Sequence, residues 1–175
     1  MTAMEDAKLN VADANARAVT TNGETLSSLT ERSPVLLVFL RHAGCTFCRQ
    51  TLSDLHEQRK AIESRGLRIV IVHQGTPEEG QEMLKRFQLG DLSSISDPKC
   101  HLYRAYGLRR GDLKSILAPS VWWRGFRSVI LEGHGAGKVS GDLFQLPDAF
   151  IVEGNRIRSQ FLHTTPADRP NYCTL

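Results

Sequence analysis

The chain has 175 residues, a length that suits one domain able to bury its own core. Its 41% hydrophobic and 23% charged residues exclude a disordered chain, and a net charge of +3 is too small to imply a nucleic-acid or membrane partner. No apolar stretch approaches the ~18–20 residues of a membrane span, Met1–Asn15 has no basic-then-apolar secretory pattern, and four cysteines are no secreted framework, so a cytoplasmic protein is expected.

Residues 1–16 are rich in Ala, Asn and Asp without strong periodicity and read as a loosely attached arm, leaving one domain over 17–175. Leu26 and Leu29 suit a short helical turn before Pro34. Val35–Leu40 is a continuous apolar run with β-branched and aromatic members, which predicts a central strand buried on both faces. After Gly44 the period becomes helical. Cys48, Leu52, Leu55 and Ile62 share one face, Asp54, Glu57, Gln58 and Lys60 the other, and Gly66 ends the helix. Leu67–Val72 is a second strand. Thr76-Pro77-Glu78-Glu79 reads as a helix start with a cap, a proline at the first helical position and acids in the first turn. Ile95–Asp97 predicts a short third strand, and Cys100–Tyr106 a third helix. An irregular insertion follows over about 108–145. Pro147–Val152 and Arg156–Leu162 then read as a hairpin around Gly154-Asn155. Alternating strands and helices, closed by an antiparallel pair, predict an α/β fold with a mixed sheet flanked by helices.

Chemistry concentrates in Cys45-Thr46-Phe47-Cys48, where the buried strand gives way to the helix. A helix N-terminus offers free N–H groups and about half a positive charge, which stabilise a thiolate below its usual pKa of ~8.5. A spacing of three in the first turn brings two sulfurs within bridging reach, the first exposed and the second turned inward. Arg41 and His42 before the motif, and Arg49 after it, add positive potential. Covalent haem would need His after Cys48, where Arg49 stands. Half a zinc site would need a second ligand pair, and Cys100-His101, His163 and Cys173 do not repeat the spacing, so no metal or cofactor is expected. Cys100 and Cys173 read as non-catalytic thiols.

Pro147, after Leu146, opens a strand. It is either an ordinary strand-start proline or a cis-proline beside the dithiol that holds a substrate chain in extended pairing. Residues 101–130 carry Arg104, Arg109, Arg110, Lys114, Arg124 and Arg127 against Asp112 alone. With Trp122 and Trp123 this suggests a stacking patch for nucleic acid, but a solvated basic face over buried tryptophans is the simpler reading, and no nucleic-acid partner is expected. Gly133–Lys138 fails as a phosphate loop, because Glu132 stands at its first glycine and Val139 at its Ser/Thr.

The order of elements, with Cys-x-x-Cys after the first core strand and Pro147 before the last hairpin, resembles the thioredoxin fold over about residues 17–163. Phe39–Arg49, the long insertion and Gly141–Val152 resemble, more narrowly, the peroxiredoxin-like branch of the AhpC/TSA superfamily, which includes selenoprotein L and the peroxiredoxin-like 2 proteins. That resemblance implies either thiol–disulfide exchange through Cys45 and Cys48 or reduction of hydroperoxides. The partners are then a protein or small-molecule disulfide, or a hydroperoxide, and a thiol reductant. Peroxiredoxins carry Pro-x-x-x-Thr-x-x-Cys, with Thr and a later Arg on the peroxide. With Cys48 in the Cys position, Cys45 takes the Thr and Arg41 the Pro; with Cys45 there, His42 and Val38 do. Arg124 and Arg127 are the choices for the later Arg. The resemblance thus makes Cys45 and Cys48 the catalytic pair and Arg41, His42, Leu146, Pro147, Arg124 and Arg127 its surroundings.

Overall fold

The apolar run after Pro34 forms β1 (Val35–Phe39), and all five of its residues are buried. The computed structural model describes residues 10–40, 46–108, 147–162, 170–172 and 174–175, with Thr46 described in its backbone only. The expected insertion from 109 on, Trp122 and Trp123, the Gly-rich loop and Cys173 lie outside these residues.

Around β1 the described elements run α1 (Val11–Arg17), α2 (Leu26–Arg32), β1, α3 (Thr46–Ser64), β2 (Arg68–His73), α4 (Pro77–Arg86), β3 (Ser93–Ser96), α5 (His101–Ala105), β4 (Asp148–Glu153) and β5 (Arg156–Leu162). The sheet order is β3-β2-β1-β4-β5. β1 pairs in parallel with β2 and β2 with β3, while β4 is antiparallel to β1 and β5 to β4. This is the expected mixed sheet.

Alternate side chains of β1 feed two cores. Leu36, Val38 and Leu40 pack with Leu52, Leu55 and Ile62 of α3, Met83 and Leu84 of α4, and Tyr172. Val35, Leu37 and Phe39 pack with Leu26 and Leu29 of α2, Ala14 of α1, and Leu102, Tyr103 and Tyr106 around α5. Each such side chain contributes about 1.5–3 kcal/mol on full burial, so β1 anchors helices on both faces.

Local signals hold where they are strongest. The Thr76 side chain accepts from Glu79 N–H at 3.3 Å while the Glu79 carboxylate accepts from Thr76 N–H at 3.0 Å, closing a capping box on α4. Gly154 and Asn155 both have positive φ, at 53° and 60°, as a two-residue hairpin turn requires. Asn155 also anchors the hairpin, accepting from Asn15 Nδ2 at 3.1 Å and donating to Ser27 Oγ at 2.9 Å.

Two expectations are corrected. The arm ends earlier than residue 16, because residues 11–17 form α1 and pack on the core. Asn15 is fully buried there, accepting from the Tyr106 hydroxyl at 2.8 Å. A buried asparagine satisfied by partners distant in sequence leaves no apolar period to read. Asp54 is buried as well, at 6% exposure, so α3 is covered over a wider arc than its apolar residues mark.

α4 packs on the sheet at Gly80, where an added Cβ would lie 2.0 Å from Nε2 of the buried His73 ring. Gly80→Ala is therefore expected to lower the free energy of unfolding by about 1–3 kcal/mol. Urea titration of the two proteins checks this, and equal midpoints would show that the ring yields without cost.

Candidate active site

Three parallel strands end at one edge of the sheet, and the carboxyl ends of parallel strands are where α/β folds place their ligands. β1 ends at Phe39, β2 at His73 and β3 at Ser96, while β4 begins at the same edge, with Asp148 opposite Phe39. One step further along that register, Pro147 stands level with Leu40. Pro147 is buried, and it precedes β4 as a strand-start proline does. Its bond to Leu146, and so the cis reading, lies outside the described residues.

α3 leaves from this edge. Thr46 is its first residue, so Cys48 is the third residue of the first turn and Cys45 directly precedes the helix. Cys48 is 1% exposed, a thiol packed in the core with Leu40 and Leu52. Cys48 thus faces the core. The positive end of a 19-residue helix lies at its position. Cys45, Arg41, His42, Leu146, Arg124 and Arg127 lie outside the described residues. Of the expected site, the structure thus brings Cys48 and Pro147 to one edge.

Several buried polar groups at this edge carry no motif. Gln74 is 4% exposed, Asp97 7% and Asp148 3%. The Asp97 carboxylate accepts N–H bonds from His101 at 2.9 Å and Leu102 at 2.7 Å, capping α5. The Tyr103 hydroxyl donates to the Leu40 carbonyl at 2.6 Å. Their one sequence signal is a polar group directly after an apolar strand run, as in His73-Gln74. Among the described residues, no group of His, Cys, Asp and Glu could hold a metal ion, and no helix is long and apolar enough to cross a membrane.

A mixed sheet in this order, with a cysteine in the first turn of the helix after the central strand, defines a thioredoxin-fold thiol protein. The chain belongs to the AhpC/TSA family, whose profile matches residues 5–159. It is 30% identical to the prostamide/prostaglandin F synthase of Sus scrofa over 158 residues, covering 86% of this chain and 76% of that one. Among solved structures it resembles the peroxidoxin BcpB of Mycobacterium tuberculosis with a TM-score of 0.58 at 15% identity, over 86% of this chain and 82% of that one. It also resembles the thiol:disulfide interchange protein DsbE of Chlorobium tepidum, with a TM-score of 0.53 at 19% identity, over 87% of this chain and 86% of that one. At these identities the two structures share the fold. Membership of the family makes the chain a redox enzyme of the thiol oxidoreductase or peroxidase kind.

His73 supplies a pH handle beside this edge. The ring is 3% exposed and neither nitrogen has a hydrogen-bond partner among the described residues. Burial pushes its pKa down, outweighing the Gly75 backbone, near but outside bonding geometry, and the Glu79 carboxylate, which both pull up. Above the unfolded value of ~6.5 both states are neutral and the stability is fully present. As pH falls through that value the unfolded chain takes up a proton that the folded one refuses. Stability is then lost at up to ~1.4 kcal/mol per pH unit until the lower folded pKa is reached. His73→Gln is expected to flatten the fall in unfolding free energy just below pH ~6.5, and an unchanged slope would show that the ring is not held neutral.

Proposed function

We propose that the protein is a thiol–disulfide oxidoreductase working through Cys45 and Cys48. What carries the reading is the place of Cys48: buried, third in the first turn of α3, three residues after a cysteine that directly precedes the helix. Cys45, as thiolate, attacks one sulfur of a substrate disulfide and releases the other as a thiol once it takes up a proton. Cys48 then gives up its proton and attacks Cys45, releasing the second substrate thiol and leaving a Cys45–Cys48 bridge. One disulfide is reduced to two thiols and the enzyme dithiol is oxidised. An external thiol reductant reverses the bridge by the same exchange. Arg41 and His42 stabilise the attacking thiolate, while Leu146 and Pro147 present backbone to an extended partner. Positive charge from Arg124 or Arg127 completes the surroundings.

A second reading is favoured by the family and by the relatives' name, prostamide/prostaglandin F synthase. In it the same thiolate attacks the O–O bond of a hydroperoxide, forms a sulfenic acid and releases an alcohol, and the resolving thiol closes the bridge with loss of water. The relatives' named products are lipids, which directs this reading to an apolar peroxide. It needs a group that polarises the O–O bond, and neither alignment register places the peroxiredoxin threonine.

Stopped-flow oxidation of the reduced enzyme separates the two. Small disulfides are expected to oxidise it faster than hydrogen peroxide or linoleic acid hydroperoxide does, with peroxide rates near those of an ordinary thiolate. A peroxide rate several orders of magnitude higher would establish the second reading, with His42→Ala and Arg124→Ala as the next variants. Cys45→Ser is expected to abolish turnover under either reading, and Cys48→Ser to trap Cys45 in a mixed disulfide. A Cys45→Ser enzyme with full activity would leave a binding module as the function.

A further inference from the structure

One buried side chain ties together the frame from which the reactive pair departs. Tyr103 is 1% exposed, with its ring edge-on to Phe39 at a centroid distance of 4.9 Å. Its hydroxyl oxygen lies 2.6 Å from the Leu40 carbonyl oxygen and 3.2 Å from that of Val72. A phenol has one proton, so the shorter contact holds it and Val72 receives the weaker share. The Val72 carbonyl also accepts the Leu40 N–H at 2.9 Å. The hydroxyl thus closes a ring of hydrogen bonds across the ends of β1 and β2.

The helix that carries Tyr103 is itself fixed. Asp97 follows β3, accepts two N–H bonds from the first turn of α5, and donates its own N–H to the His73 carbonyl at 2.8 Å. All three parallel strand ends are joined through this short helix. Burial pushes the Tyr103 pKa well above its ordinary value, with Cys100, Asp97 and Cys48 acting in the same direction and a hydrogen bond with the Gln74 side chain acting against them. The hydroxyl therefore stays protonated and remains a donor, within electrostatic reach of Cys48.

We infer that Tyr103 is a positioning residue for the Cys45–Cys48 dithiol: by holding the Leu40 carbonyl it fixes the point from which the chain leaves β1 towards Cys45. The inference rests on the reading of these two cysteines as the reactive pair. A disulfide accepts only a narrow range of Cβ separations and torsions, so its equilibrium depends on how tightly both ends are held. Cys48 is held by α3 and the core. On the other side of the motif, Leu40 follows β1 and stands five positions before Cys45, and the Tyr103 hydroxyl holds its carbonyl.

Tyr103→Phe removes the hydroxyl and keeps the ring. The measurement is the equilibrium constant of the Cys45–Cys48 bridge in buffers of reduced and oxidised glutathione, read by alkylation and mass spectrometry, with circular dichroism as the check on folding. The constant is expected to fall at least threefold towards the dithiol. Asp97→Ala, which frees α5 without touching the aromatic core, is expected to move it the same way and decides the matter if Tyr103→Phe fails to fold. Arg86→Ala, on the exposed side of α4, should leave it unchanged. A smaller fall, or a rise, in a folded Tyr103→Phe protein overturns the inference and makes Tyr103 a purely structural residue. If the wild-type protein forms no bridge between these cysteines, the proposed function falls together with the inference. A wild-type bridge that the variants leave unmoved removes the inference alone.

Discussion

Everything in this fold depends on the burial of β1 on both faces. Its five residues have no solvent-facing side, and β2 and β4 occupy its two edges. A strand so placed must satisfy its backbone through its neighbours, because an unpaired buried N–H or C=O costs about as much as a lost hydrogen bond. Its side chains then recruit α3 and α4 on one face and α1, α2 and α5 on the other. The chain leaves such a strand only at its ends. The carboxyl end leads into the motif.

The chemistry follows from that exit. A helix that starts at the edge of a buried sheet points its N–H groups and positive dipole into a region shielded from water, where they act more strongly than at a surface. Cys48, at 1% exposure in the first turn of α3, occupies that region. The parallel neighbours β2 and β3 end alongside and contribute His73, Gln74 and Asp97, while β4 brings Pro147 and Asp148 back to the same edge. Asp97 caps α5 and Tyr103 holds Leu40, so these two buried polar groups keep the frame in place around the thiol.

The sequence makes legible those parts in which one physical signal runs uninterrupted. Val35–Leu40 is apolar throughout because both faces are buried, and α3 shows its period because one stripe meets the core. The Thr76 box and the Gly154-Asn155 turn are written in residues that few other conformations favour. Legibility fails where a polar side chain does the packing. Asn15 is buried through hydrogen bonds to residues 91 and 140 positions away, so α1 has no apolar stripe and reads as an arm. Asp54 reads as surface because it is an acid, although it is buried. Tyr103 looks like one more core aromatic in a short helix, since only the folded topology brings its hydroxyl to the end of β1. At the site, Cys48 in the first helical turn and Pro147 at the start of β4 follow from pattern, whereas the burial of His73 and the partners of Asp97 are set by strand order.

We propose that Cys45 and Cys48 form one redox pair. This is tested most directly by oxidising the protein with stoichiometric disulfide, alkylating what remains reduced, and mapping the cysteines by mass spectrometry. A single bridge is expected, between Cys45 and Cys48, with Cys100 and Cys173 alkylated in full. A bridge from Cys45 or Cys48 to Cys100 or Cys173, or oxidation that leaves both motif cysteines open to alkylation, would contradict it.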